Sequence, residues 1–291
     1  MNPFTRSDDP AYIELRAENG ELITGYRFDP EEYHPYCHPV NLPGEVPLTM
    51  TRPGDHPWHN GMAFCWKYLN GCNVWDQEAS GPKPGACVHR GIELDEQYPR
   101  MLHRLDWVDN EGNTLLKETR TLEVVSLEKP FAHAYDWSFR FEATGEVVCE
   151  REPKHGGYAG FYVRFARGGA NHLLNAEGEQ DWPENWGGDD DHESRWCAFA
   201  FSLDGLPSRT WHGHFGGMAV FDHPDNPRHP TPWLTFNGIG MQKIMPAFIR
   251  RNPYTFQQGD TLELRYRAVS FSGKSDKEAL DAEWTRWIAN Q

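Results

Sequence analysis

The sequence lacks any apolar run approaching the ~18 residues of a membrane-spanning helix. The longest stretches, such as Trp196-Cys197-Ala198-Phe199-Ala200-Phe201, fall far short of it. It also lacks a Cys-x-x-Cys pair, so Cys37, Cys65, Cys72, Cys87, Cys149 and Cys197 read as reduced, mostly buried thiols. Basic residues are scarce: 28 Lys+Arg stand against 43 Asp+Glu, a net charge of −15. That balance argues against nucleic acid and against an anionic membrane as partners, since both require a basic face. No G-x-G-x-x-G follows a strand, and there is no G-K-[ST] loop, no G-x-S-x-G elbow and no H-E-x-x-H. The opening Met1-Asn2-Pro3-Phe4-Thr5-Arg6 has no apolar core of a secretory signal, so a cytoplasmic address is expected. Neither an internal repeat nor a linker-like break in composition is evident.

What the chain does have is aromatic and turn-forming residues: 12 Trp, 16 Phe, 11 Tyr and 14 His, with 27 Gly and 22 Pro, in 291 residues of which 24% are charged. Such a composition predicts an ordered, β-rich globule. Period-2 alternation supports strands at Tyr12–Arg16, Glu21–Arg27, Met101–Val108, Leu115–Val125, Tyr135–Phe141, Phe161–Phe165, Met218–Phe221 and Thr261–Val269. The turn Asp109-Asn110-Glu111-Gly112-Asn113 predicts a hairpin between two of them. One helix is predicted near the end: Ser275-Asp276-Lys277-Glu278 fits a capping box, and Leu280, Trp284, Trp287 and Ile288 form one apolar stripe. The stretches Phe28–Trp58, Ala79–Gly91, Asn171–Ser194 and Asp222–Pro232 read as long ordered loops. A single large antiparallel β-sandwich over residues 1–291, closed by a C-terminal helix, is the expected architecture, with two domains as the alternative.

Chemistry-bearing residues gather in the loops. His34, His38, Asp55, His56 and His59 lie in one Pro-stiffened stretch with Trp58 and Asn60. Proline fixes φ, so such loops hold imidazoles in place, and imidazole suits acid/base work near neutral pH. Three readings are open: acid/base or substrate-binding histidines, a metal held by His38, His56 and His59, or side chains that merely satisfy loop backbone. A second cluster runs from Asp222-His223 through Asn226 to Trp233, where Asp222 can orient His223 or simply shape a turn. Cys87-Val88-His89-Arg90-Gly91 offers a guanidinium fork at a loop end. Lys154, Tyr158 and Arg164 surround a glycine-rich stretch. The run Asp189–Glu193, beside Trp182 and Trp186, reads as a solvated acidic loop or a calcium site, and exposed indoles can serve as platforms for sugar faces.

These clusters carry a family resemblance. His38-Pro39-Val40, Asp55-His56-Pro57-Trp58-His59-Asn60-Gly61 running on to Trp75, Val88-His89-Arg90-Gly91, and Asp222-His223-Pro224-Asp225-Asn226-Pro227-Arg228 with Thr231-Pro232-Trp233 resemble the bacterial PmoA-like family of unknown function over nearly the whole chain. Where that family shows Asp-His-Pro-His-His-Arg-Gly, this sequence has Trp58 and Asn60, which removes one imidazole and one cation. The family label borrows from a membrane-embedded methane oxygenase, a reading that a chain without a spanning helix does not support. The resemblance implies a β-supersandwich similar to aldose mutarotases and a setting in carbohydrate catabolism.

The expected function is therefore a carbohydrate-active enzyme working on a sugar or keto-glycoside by proton transfer next to a carbonyl or anomeric centre. In this expectation His56, His59 and His223, the last supported by Asp222, carry the acid/base work. His38, Asp55, Asn60, Trp75, His89, Arg90, Lys154, Tyr158, Arg164, Asn226 and Trp233 bind substrate. Two alternatives stand beside it, a non-catalytic carbohydrate-binding or sensing protein and a His-ligated metal enzyme. No cofactor is specified by the residues. The expected partner is a small carbohydrate, with no nucleic acid and no membrane, and a homo-oligomer is left open.

Overall fold

A computed structural model describes residues 1–32, 34–54, 56–76, 84–151, 157–166, 171–180, 192–203, 215–238, 241–274 and 276–290. Among them, two nine-stranded sheets pack face to face, with a smaller sheet at one end. In spatial order the first sheet runs Thr5–Arg6, Tyr12–Arg16, Leu22–Arg27, Tyr36–Leu42, Met62–Cys65, Gly160–Arg164, Met241–Pro246 and Trp233–Gly238, with Val46–Pro47 paired beside Tyr36–Leu42. The second runs Gly178–Gln180, Asn171–Asn175, Trp196–Ser202, Phe215–Asp222, Thr261–Ser272, Phe131–Ala143, Thr114–Ser126, Arg100–Val108 and Ala86–Leu94. Neighbouring strands pair antiparallel throughout, for example Leu105 with Glu118 and Phe139 with Leu264. The molecule is thus mainly β, an antiparallel sandwich with one C-terminal helix, as the alternation predicts.

Strict alternation puts one side of each strand into the space between the sheets. From the first sheet Phe64 and Phe161 enter it, and from the second Phe139, Phe141 and Tyr266. Phe64 lies 4.8 Å from Phe139, and Phe161 stacks on Tyr266 at 5.4 Å with planes 10° apart. Such aromatic pairs add about 0.5–1.5 kcal/mol beyond their area burial. The opposite side of the second sheet has its own apolar layer, with Phe221, Trp196 and Val269 covered by Leu280 and Trp287 of the helix Lys277–Ala289. Trp284 and Ile288 complete the predicted stripe.

Three corrections concern local structure. The helix N-cap is Asp276, whose carboxylate accepts from the backbone N–H of Glu278 and Ala279. The expected cap Ser275 lies outside the described residues. The stretch Phe28–Trp58 contains a central strand, Tyr36–Leu42. Pro39 is tolerated there because Tyr26 pairs with Cys37 and Thr24 with Val40, leaving His38 and Pro39 together opposite Gly25 as a bulge. Ala86–Leu94, also read as largely loop, is an edge strand of the second sheet. Its polar exposed centre hides the alternation, as expected for an edge.

Candidate active site

Gly160–Arg164 sends Phe161 and Val163 into the core, so Tyr162 and Arg164 face the opposite side of the first sheet. Arg164 pairs in register with Lys243 of the adjacent strand. Over this outer face fold the segments carrying His34, Arg52–Asn60 and Trp75. The Arg52–Asn60 loop closes on itself: His59 N donates to His56 O, His56 N to Pro53 O and Arg52 N to His59 O, at 2.9 to 3.0 Å. Gly61 joins loop to strand at φ 45°, where a Cβ would meet the Cys37 carbonyl oxygen at 2.0 Å. Only glycine fits there.

The result is a packed polar and aromatic cluster. The His59 and His56 rings stack at 4.8 Å, and His59 Nε2 hydrogen-bonds the Tyr158 hydroxyl at 2.7 Å. His34 Nε2 bonds the Tyr162 hydroxyl at 2.9 Å, and the Asn60 backbone N–H donates to that same hydroxyl at 3.3 Å. Trp75 touches both tyrosine rings at 4.8 and 5.0 Å. At the centre stands Lys243, fully buried, its Nζ 3.8 Å from the ring centre of Tyr158, 4.6 Å from Tyr162 and 4.7 Å from Trp75. A cleft of about 220 Å³ opens beside the cluster, lined by Glu32, His34, Arg52, Trp58, Asn60 and Trp75 among others. Glu32 is fixed at its rim by Arg52 at 2.5 Å and by the Tyr36 hydroxyl at 3.2 Å.

Four buried polar atoms of this cluster have no hydrogen-bond partner among the described residues: His59 Nδ1, Asn60 Oδ1, Trp75 Nε1 and Lys243 Nζ. Such atoms are uncommon in folded proteins, and several together mark a site held for something other than stability. Burial first, and the Arg164 guanidinium second, drive the Lys243 amine well below its usual range, toward the neutral form. Burial, with Lys243, Arg164, His56 and His34 around it, holds His59 neutral. Burial lowers His34 to about 3. A neutral imidazole hydrogen-bonded to a phenol is a proton acceptor and donor coupled in one unit.

Of the sequence-predicted residues, His56, His59, Asn60, Trp75, Tyr158 and Arg164 meet here. Asp55 and Lys154 lie outside the described residues, as do Trp182, Trp186 and Asp189–Asp191. The others lie elsewhere. His38, lowered to about 4 by burial, bonds Thr49 Oγ1 through Nδ1 at 3.0 Å. Among the described residues no three His, Cys, Asp or Glu side chains converge as metal ligands, the set His38, His56 and His59 included.

The expected pairing of Asp222 with His223 does not form. Successive strand residues point to opposite sides, and the Asp222 carboxylate instead binds His229 Nδ1 at 2.7 Å and the Asn226 amide at 2.8 Å. Burial raises the Asp222 carboxyl. His223 packs edge-on against Trp287 of the helix, 5.3 Å between centres, and accepts the Asp225 N–H at Nδ1. Asn226 also bridges to the Arg265 backbone in both directions, a turn-holding role. His223 thus lies on the helix-covered side of the second sheet, across the core from His59 and not facing it, while Asp222 points to the other side of its strand. Trp233 is buried, with Nε1 donating to Ser194 O at 2.8 Å. His89 and Arg90 lie on the edge strand, where Arg90 pairs with Asp106 at 2.7 Å.

Lys243, Tyr162 and Glu32 were not foreseen. The one available signal was Lys243 itself, a lone charge in the strand Met241-Gln242-Lys243-Ile244-Met245. A larger, open cleft of about 420 Å³ near Met1, Leu22 and His133 carries no comparable cluster.

Fold and site together define an antiparallel β-sandwich protein with a histidine–tyrosine pair and a caged lysine on one sheet face. Residues 13–285 match the profile of DUF6807, a family of unknown function, and the chain belongs to that family. No curated protein matches it. Among solved structures it is similar to a human-microbiome protein assigned as a kojibiose phosphorylase, at 8% identity and a TM-score of 0.37, over 98% of this chain and 36% of that one. This chain therefore spans about a third of that protein's length, and at such a score nothing is carried over from it.

Proposed function

We propose that this protein is a carbohydrate-active enzyme that moves a proton at a carbon next to a carbonyl or anomeric centre of a sugar or keto-glycoside. The observation that carries the reading is the cluster of four buried polar atoms around the His59–Tyr158 pair that have no hydrogen-bond partner among the described residues. A polyhydroxylated ligand offers donors and acceptors in close alternation and would satisfy such a set. His59 takes the proton as a neutral base and Tyr158 returns it, while Arg164 stabilises oxyanion charge as it develops and the neutral Lys243 amine donates a hydrogen bond to it. Trp58, half-buried at the cleft, offers its face to the sugar C–H groups. The PmoA-like resemblance is retained as part of this proposal without its oxygenase meaning. The net charge of −15 favours a neutral ligand over an anionic polymer or lipid, in a cytoplasmic setting.

The test is hydrogen exchange. A panel of aldoses, ketoses and keto-glycosides is incubated with enzyme in deuterated water and followed by NMR. Deuterium incorporation at a carbon beside the carbonyl or anomeric centre is expected, falling about 100-fold or more in Tyr158→Phe and His59→Gln. Binding across the panel with neither exchange nor turnover would make this a sensing protein and overturn the enzyme reading.

A further inference from the structure

A second cleft, of about 380 Å³, borders the first. Glu32 lines both, with His34 on the first and Pro35 on the second. Their walls differ in kind. The first is polar and carries carboxylate, imidazole, guanidinium and amide groups. The second is built mainly of Pro10, Phe28, Pro30, Pro35 and Val88, with His89 at its edge. Rigid proline rings and a phenyl ring make a preformed apolar surface that loses little entropy on binding.

His89 is the organised polar group of this second cleft. Its Nδ1 bonds His103 Nε2 at 2.8 Å, and His103 Nδ1 bonds the buried Tyr26 hydroxyl at 2.7 Å. His103 is fully buried and lowered to about 2 by burial and the Arg120 charge, so it stays neutral. In the tautomer in which Tyr26 donates into this chain, each imidazole passes its hydrogen outward and His89 presents Nε2–H as a donor; in the reverse tautomer His89 Nε2 is an acceptor. Phe28 lies 4.9 Å from the His89 ring, tilted by 39°, so the two form a corner that a flat ring can enter. The first cleft alone is smaller than the roughly 300–1,000 Å³ of ordinary small-molecule sites, whereas the two joined at Glu32 reach that range.

We infer that the second cleft is a subsite for an uncharged, apolar or aromatic aglycone, so that the ligand is a glycoside whose sugar sits by His59 and whose aglycone lies across Glu32 against Phe28 and His89. The inference rests on the sugar reading above. Acidic aglycones are disfavoured by Asp29 and Glu32 at the cleft.

Matched methyl and 4-nitrophenyl glycosides of glucose, galactose, mannose and xylose test it by calorimetric titration. Burial of the aryl ring is expected to tighten binding about tenfold over the methyl partner. Val88→Trp and Ala11→Trp, each filling the second cleft from a different wall, should abolish that advantage and leave methyl glycoside affinity unchanged. Two variants guard against one that fails to fold, and circular dichroism identifies such a failure. Equal affinity of the pairs in wild type, or an advantage that survives in both folded variants, overturns the inference and leaves the sugar reading standing. Failure of every glycoside to bind overturns both.

Discussion

Lys243 gains no hydrogen bond among the described residues and loses its hydration, so it is kept at a cost to stability. Lys243→Met retains the chain length and removes the buried amine. It should stabilise the protein by about 1–3 kcal/mol, read as a raised melting temperature, while proton exchange on the substrate falls. The pH dependence follows in sign. The folded amine titrates below its ordinary 10.5, so the unfolded chain binds more protons between the two values, and stability rises with pH across that window up to 10.5. That slope should be shallower in Lys243→Met. His34 shows the complementary behaviour on the acid side: its folded value of about 3 against 6.5 means stability is lost as pH falls from 6.5 toward 3. Denaturant titrations at stepped pH measure both slopes. Tyr158→Phe leaves His59 without a partner at either ring nitrogen among the described residues and should cost about 1–3 kcal/mol, in addition to its effect on exchange.

At the scale of elements, the alternating strands were legible and the interrupted ones were not. The hairpin of Arg100–Val108 and Thr114–Ser126 follows from period-2 patterning and an Asp109 turn, whose carboxylate accepts the Glu111 and Asn113 N–H groups. Tyr36–Leu42 escaped because His38-Pro39 contradicts a central strand unless a bulge is foreseen. His56, His59 and Asn60 of the Asp55–Gly61 motif fall in the candidate cluster, whose other half is contributed by strands with outward residues that look unremarkable. Tyr162 reads as one more strand aromatic, and Lys243 as a solvated charge. Asp222 and His223 misled for the opposite reason, since adjacency in sequence separates side chains in a strand. The helix yields its own prediction. Asp276→Ala removes an N-cap and should cost about 1 kcal/mol. Leu280→Ala, on the buried face of the helix, should cost about 2–5 kcal/mol. Thermal or denaturant melts of both variants check these values, with exchange activity unaffected.

For the whole molecule, the continuous core between the two sheets runs from Phe4 to Ala268. We propose that residues 1–291 fold as one domain. The expected outcome is a single unfolding transition that superimposes when followed by Trp fluorescence and by far-UV circular dichroism. Two separated transitions would instead favour two domains. No helix among the described residues is long and apolar enough to cross a membrane.

His59 and His223 lie beyond opposite sheets, with the shared core as insulation between them. Perturbations on the His223 and helix side should therefore add independently to perturbations at His59. In practical terms the molecule has a working side and a handling side. Cysteines or tags placed on exposed positions of the helix, such as Glu278 or Arg286, would tether the protein to a surface or a probe with the cleft beside His59 turned toward the solution.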